Sequence, residues 1–323
     1  MLVFGAGVAT AGPAKESAGR PTMISIPRFK GRWFERFGTG LKKAGADFGV
    51  DVTQQAPSTT DEAQRQVGMI EDAIKRGTNA ILVVPVEAKT IGPALGRAQT
   101  QKIATITHRS PGQVNADVDV EMIDSRAFGE RALEEMVKAM GAPVGEYVVY
   151  VGSFTTLDDN LWADAAIALA RQKYPGLALI GYRFPVSEDQ TLARKISLEL
   201  MEAHPGLRGV LAFGGQGGPG AAQAVRDMGL TGKVMVIGTT TPSKAAPYIK
   251  DGSLSACVLW DPAEAGYAMV YLAKLVLDGK RSMIGPDLDI PTLGMPFAFK
   301  GNTLVYDRPL VLTRENLDDY AGF

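Results

Sequence analysis

Histidine and cysteine are almost missing from this chain of 323 residues, which holds two of the first, His108 and His204, and one of the second, Cys257. A lone cysteine permits no intramolecular disulfide and no CxxC motif, and two histidines without HExxH spacing give no reason to expect a zinc site or any other cofactor. Cys257 lies inside an apolar run and reads as an inert buried thiol. His204, in EAHPGLRG, reads as a helix-end residue. An excess of charge is missing too. Lys+Arg 34 against Asp+Glu 35 gives a formal net charge of -1, so neither nucleic acid nor an anionic membrane is the expected partner, and a neutral small ligand fits better. No apolar stretch approaches the roughly 20 residues of a membrane span. Hydrophobic residues still make up 46% of the chain, enough for substantial cores.

What is present is a rhythm. Short apolar runs such as TMISIPR, AILVVPV, KIATITHR, EYVVYVGS, GVLAFGG, KVMVIGTT and SACVLWDP are β-rich, and most precede a stretch with helical spacing. That alternation predicts an α/β protein with parallel sheets, whose ligands bind outside the carboxyl ends of the strands. The length exceeds the roughly 250 to 300 residues of a single core, so two domains are expected. Helices are predicted over Trp33–Ala46, Asp61–Lys75, Thr90–Gln101 and Ser125–Met140 in the first half. In the second half they fall over Asp159–Tyr174, Ser187–His204, Gly220–Asp227, Ser243–Lys250 and Ala263–Asp278. Thr59 with Glu62 has capping-box spacing, and Gly141-Ala142-Pro143 stops the fourth helix. The organisation expected is a first-lobe core over 22–122, a crossover helix over 123–143 that packs on either lobe, a second lobe over 144–280, and a hinge return with strands over 281–323. Residues 1–21 read as a partial export signal with a flexible end: Leu2–Thr10 is apolar and Ala9-Thr10-Ala11 offers a small-x-small cleavage pattern, although no basic residue precedes it.

The specific segments resemble one family. ISIPRFKG, GVDVTQQAPSTTDEAQRQVGMIEDAIKRGTNAILVVPVEA, TTLDDNLW, VIGTTTPSKAAPYIKDGSLSACVLWDPAEAGYAMV and LTRENLDDY follow in an order and spacing similar to the type I periplasmic sugar-binding proteins of ABC importers, in the branch of the autoinducer-2 and rhamnose binding proteins. The resemblance spans Met23 to Gly322 and implies two Rossmann-like lobes joined by a multi-strand hinge. It further implies a monomeric periplasmic protein that closes around a sugar or sugar alcohol and presents it to a membrane permease, or hands it to a chemoreceptor. No helix-turn-helix pattern stands before Thr22, so a repressor is not expected.

Candidate site residues close the strands. Arg28 follows the first, where the autoinducer-2 branch has lysine, and Trp33 and Phe34 offer stacking faces. His108 and Arg109 end KIATITHR; the branch has aspartate where Arg109 stands, which argues against autoinducer-2 as ligand. Asp158 and Asp159 stand where the branch has Asp-Gln and can cap a helix or accept from sugar hydroxyls, whereas Trp162 reads as helix packing. Phe213 and Gly215 replace part of a Pro-Asp-Ala and leave backbone groups to face a ligand. Trp260 and Asp261 close SACVLWDP as a stacking surface and a hydroxyl acceptor, while Thr239 to Thr241 lie on the same rim and Thr241 reads as a helix cap. GGQGGPG resembles a phosphate-cradling loop but has no following Lys-Ser/Thr. No GxSxG elbow, Cys/His pair or metal motif supports an enzyme, and the adjacent acids do not establish the two flanking groups that glycoside cleavage needs.

Overall fold

A computed structural model of the chain describes residues 19–57, 63–320 and 323. The first sheet is built from β1 (Thr22–Ile26), β2 (Asp51–Gln54), β3 (Ala80–Val83), β4 (Ala104–His108) and β5 (Val118–Glu121), with helices α1 (Arg32–Phe48), α2 (Ala63–Lys75) and α3 (Ala88–Thr100) between the strands. After α4 (Ser125–Met140) the second sheet begins with β6 (Gly145–Val151). It is followed by α5 (Leu157–Lys173), β7 (Leu177–Leu179), β8 (Phe184–Pro185), α6 (Gln190–Ala203), β9 (Leu207–Ala212), α7 (Gly217–Asp227), β10 (Met235–Gly238), α8 (Pro242–Asp251) and β11 (Ala256–Leu259). Then come α9 (Pro262–Leu277), β12 (Ala298–Lys300), β13 (Thr303–Val305) and β14 (Leu310–Leu312). The first sheet runs β12-β13-β5-β4-β3-β1-β2 and the second β14-β11-β10-β9-β6-β7, with β8 beside β6; only β12 and β14 pair antiparallel. The tail thus adds strands to both sheets, and the expected parallel α/β lobes are present.

Local sequence accounts for the helix ends. Along α1 the residues Phe34, Phe37, Leu41 and Ala44 are buried at helical spacing, and Gly49 ends it in the left-handed region at φ 64. Asp124 caps α4 through the amides of Arg126 and Ala127, and Gly141, at φ 71, closes it as the Gly-Ala-Pro stop predicts. Thr59 and Glu62, the proposed capping box, lie outside the described residues, as does most of the expected export signal. The sixth helix begins later than expected: Asp189 accepts from the Leu192 amide and caps it, so Ser187 and Glu188 lie ahead of α6 rather than in it.

One open choice narrows and one boundary moves. The crossover helix α4 packs on the second lobe, against α5 and strands β9 to β11, whereas α9, expected in the second lobe, packs on α1 and β3 to β5 of the first. Small residues make that contact. A Cβ on Gly266 would stand 2.5 Å from the Phe37 carbonyl oxygen, and one on Gly40 would overlap the Ala263 carbonyl, so the two backbones approach where only hydrogen fits. The chain therefore crosses between the lobes after β5, after β11 and between β13 and β14, and the second crossing lies near residue 260 rather than 280.

Candidate ligand-binding cleft

The loops that follow the parallel strands converge between the two lobes. From the first lobe, Arg28 follows β1 and Arg109 follows β4; from the second, Asp158 and Asp159 open α5 after β6. Arg28 donates through Nη2 to Asp158 Oδ1 at 2.9 Å and through Nε to the Pro85 carbonyl at 2.7 Å. Arg109 pairs with Asp158 and reaches Asp159 Oδ1 at 3.3 Å. Two arginines of one lobe are thus locked onto two adjacent carboxylates of the other, all four being buried or nearly so. Arg109 adopts φ 62, uncommon for a residue with a side chain, and such strain persists only where the surroundings impose it. Its guanidinium stands 5.1 Å from the Trp162 ring centroid and 5.6 Å from that of Trp260, close enough for both indole faces to attract the cation.

Beside this lock opens a cavity of about 330 Å³, at the small end of the range for small-molecule sites. Trp33, Phe34, Arg109, Gly215 and Trp260 line it, as do Glu188 and the rim threonines Thr239 to Thr241. Trp33 meets Trp260 edge-on at 5.3 Å, and Trp260 meets Trp162 at 5.9 Å, so two of the three tryptophans line the cavity and the third packs against one of them. A family profile described as the periplasmic binding protein domain matches residues 23–281. The chain belongs to that family.

Among periplasmic binding proteins, the D-allose-binding periplasmic protein of Escherichia coli (strain K12) is 23% identical over 253 residues, 75% of this chain and 79% of the relative. Two solved structures share the fold. An ABC transporter solute binding protein from Clostridium phytofermentas with bound L-rhamnose superposes with a TM-score of 0.83 at 22% identity, covering 94% of this chain and 99% of that one. LsrB from Clostridium saccharobutylicum in complex with AI-2 gives 0.82 at 23% identity, covering 93% and 99%. At such identities the likeness establishes the type I periplasmic binding protein fold and leaves the ligand to the cleft itself.

Electrostatics divides the roles within this binding protein's cleft. Burial acts against ionisation of Asp158, but the Arg109 and Arg28 charges outweigh it and hold its pKa below the ordinary value. Asp159 goes the other way, pushed up to about 8 by burial and then by the Asp158 charge, despite Arg109 nearby. It still accepts from the Gly152 amide at 2.9 Å. Burial, seconded by the Arg109 charge, pushes His108 down to about 3. The ring is therefore neutral; its Nδ1–H donates to the Val120 carbonyl at 2.6 Å and leaves Nε2 a buried acceptor without a donor among the described residues. The Trp260 indole N–H is a buried donor without an acceptor among the described residues.

Other candidates sit behind the cavity wall. Phe213 is 1% exposed and packs at 6.1 Å from Trp162, supporting the aromatic layer from below. Asp261 turns toward α9: Oδ1 accepts from the Ala263 amide at 2.9 Å and the carboxylate takes a two-point pair from Arg36. Asp261 thus caps α9 and is absent from the cavity lining, unlike the hydroxyl acceptor expected from the sequence. Thr241 occupies the cap position of α8, but its hydroxyl makes no capping bond; the Ser243 amide is satisfied by the Phe323 carbonyl. Trp162, read as packing, also carries Arg109. Glu188 escaped the sequence reading because SEDQ reads as a helix start. It accepts a backbone hydrogen bond from Gly215, and burial raises its pKa. The glycine-rich loop has a steric origin. At Gly214, φ is 131 and a Cβ would stand 2.6 Å from the Ser187 Cβ, so the loop is glycine because it presses on the segment carrying Glu188.

Proposed function

We propose that this chain is the periplasmic solute-binding component of an ABC importer, closing around a sugar or sugar alcohol and delivering it unchanged to a membrane permease. One observation carries the reading: arginines of one lobe meet carboxylates of the other beside a cavity walled by indole rings. Guanidinium groups donate to ring and hydroxyl oxygens, carboxylates accept from hydroxyls, and indole faces cover the apolar C–H faces of a sugar. A ligand that engages both lobes shifts the molecule toward its closed form, because only that form offers both sets of contacts. The names of relatives that bind D-allose and L-rhamnose support the same class.

The test is thermal unfolding of the protein against pentoses, hexoses, deoxy sugars, amino sugars and alditols, with the recovered ligand analysed by mass spectrometry. At 100 times its Kd a ligand adds about 2.7 kcal/mol, a shift of a few degrees. A shift confined to one stereochemical set, with the ligand recovered intact, is expected. A flat response from folded protein refutes sugar binding, and turnover refutes the solute-binding role.

A further inference from the structure

Charge balances over the whole chain but not around the cavity. Lys30 and Arg32 of the first lobe and Lys244 of the second line it, and none of them has an ion-pair partner among the described residues; Lys244 reaches only the Gln216 side-chain oxygen. Glu188 is the single acid among the lining residues described, and its burial favours the protonated form. The first turn of the 17-residue helix α1 forms part of the same wall. Its cap is Gly31, which offers no side chain, and the amides of Arg32, Trp33 and Phe34 have no partner among the described residues. An aspartate caps α4, α6 and α9, whereas α3, α5, α7 and α8 share with α1 the lack of a side-chain cap. Beside that turn, edge-on to Trp33, Trp260 is 2% exposed and its indole N–H has no acceptor among the described residues.

Resting on the sugar-binding reading of this cleft, we propose that the ligand is an acidic sugar whose anionic group sits at the first turn of α1, between Lys30, Arg32 and Lys244. Free amides and the positive end of the helix dipole favour an anion there, and the three cations reinforce them. Arg109 and Asp158 then face the hydroxylated part. Because Lys244 comes from the second lobe and the helix from the first, the anion bridges the lobes and contributes to closure. The shared chemistry is a carboxylate or a phosphate on a sugar, and this revises the neutral ligand expected from the net charge.

The experiment titrates the full chain calorimetrically with matched probes: D-gluconate, D-galacturonate and D-ribonate, the monophosphates of D-glucose and D-ribose, and the neutral parents D-glucose, D-galactose and D-ribose. An acidic probe is expected to bind at least about tenfold more tightly than its parent, as charge-assisted bonds do relative to neutral ones. The exposed-site variant Lys30→Gln/Arg32→Gln/Lys244→Gln is expected to erase that advantage while keeping the native unfolding profile. Preference among carboxylates or among phosphates identifies which anion is read. A neutral parent binding as tightly as its acid, or an acid advantage that survives in the variant, overturns the anion inference and leaves the sugar reading intact. No binding by any probe, extended to the wider sugar panel without response, overturns both.

Discussion

Arg109 is the residue on which the cleft turns: it pairs with Asp158 and Asp159 across the lobes while lying against two indole rings. Arg109→Gln should weaken ligand binding by about 10- to 100-fold, the worth of a charge-assisted hydrogen bond of roughly 1.5–3 kcal/mol, as read by titration calorimetry. The adjacent acids predict a pH effect. Asp159, raised from the ordinary carboxylate range to about 8, leaves the folded protein holding a proton that the unfolded chain has lost. The Asp159 contribution to stability should therefore fall as pH rises from about 4 to about 8. Asp158, lowered, works oppositely, and its contribution is lost only as pH falls through that lower value. Thermal midpoints between pH 6.5 and 8 should decline, and Asp159→Asn should flatten that decline; an unchanged slope in the variant would assign it to other groups, such as Glu121, itself raised by burial. His108, held near 3 in the folded protein, works against Asp159 at lower pH: the unfolded chain takes up its proton below about 6.5, so stability is lost as pH falls from about 6.5 to about 3. The strand-end residues were legible in sequence because a parallel sheet delivers the residue after each apolar run to one edge. Glu188 was not, since only the tertiary contact of Gly214 with Ser187 shows that this segment turns inward.

At the scale of elements, the contact of α1 with α9 holds the first lobe together. Gly40→Ala should cost roughly 1–3 kcal/mol or more, because the added methyl meets a backbone carbonyl that cannot move aside as a flexible side chain would. Urea denaturation checks this, and a variant as stable as the parent would mean that the helices separate at little cost. Asp261 separates a structural from a binding role. As a cap for α9 and partner of Arg36, its replacement by alanine should cost about 1–2 kcal/mol of stability. Ligand affinity should change by less than about threefold, under 1 kcal/mol. A large affinity loss with unchanged stability would return Asp261 to the binding surface. Most helices could be read to within a few residues because their buried faces repeat at helical spacing and because Gly49 and Gly141 stop two of them. The lobe to which α9 belongs could not be read. Its apolar character satisfies either sheet, and the choice rests on two glycines, Gly40 and Gly266, whose partners are far apart in sequence.

At the scale of the molecule, three crossings join two α/β lobes, and the charged lock between Arg28, Arg109 and Asp158 spans the space between them. Closure is thus written into side chains from both sides of the cleft, and ligand groups that replace or reinforce those pairs control it. The chain carries its own probe of this event, because of its three tryptophans Trp33 and Trp260 line the cavity and Trp162 packs against Trp260 and Arg109. The most direct measurement is a tryptophan fluorescence titration of the parent protein and Arg109→Gln with the sugar panel, neutral and acidic. The account predicts a saturable change with one stereochemical set in the parent, displaced by at least about tenfold in concentration in the variant. A spectrum that stays constant across the panel in folded protein, or a titration that Arg109→Gln leaves unaltered, would contradict it.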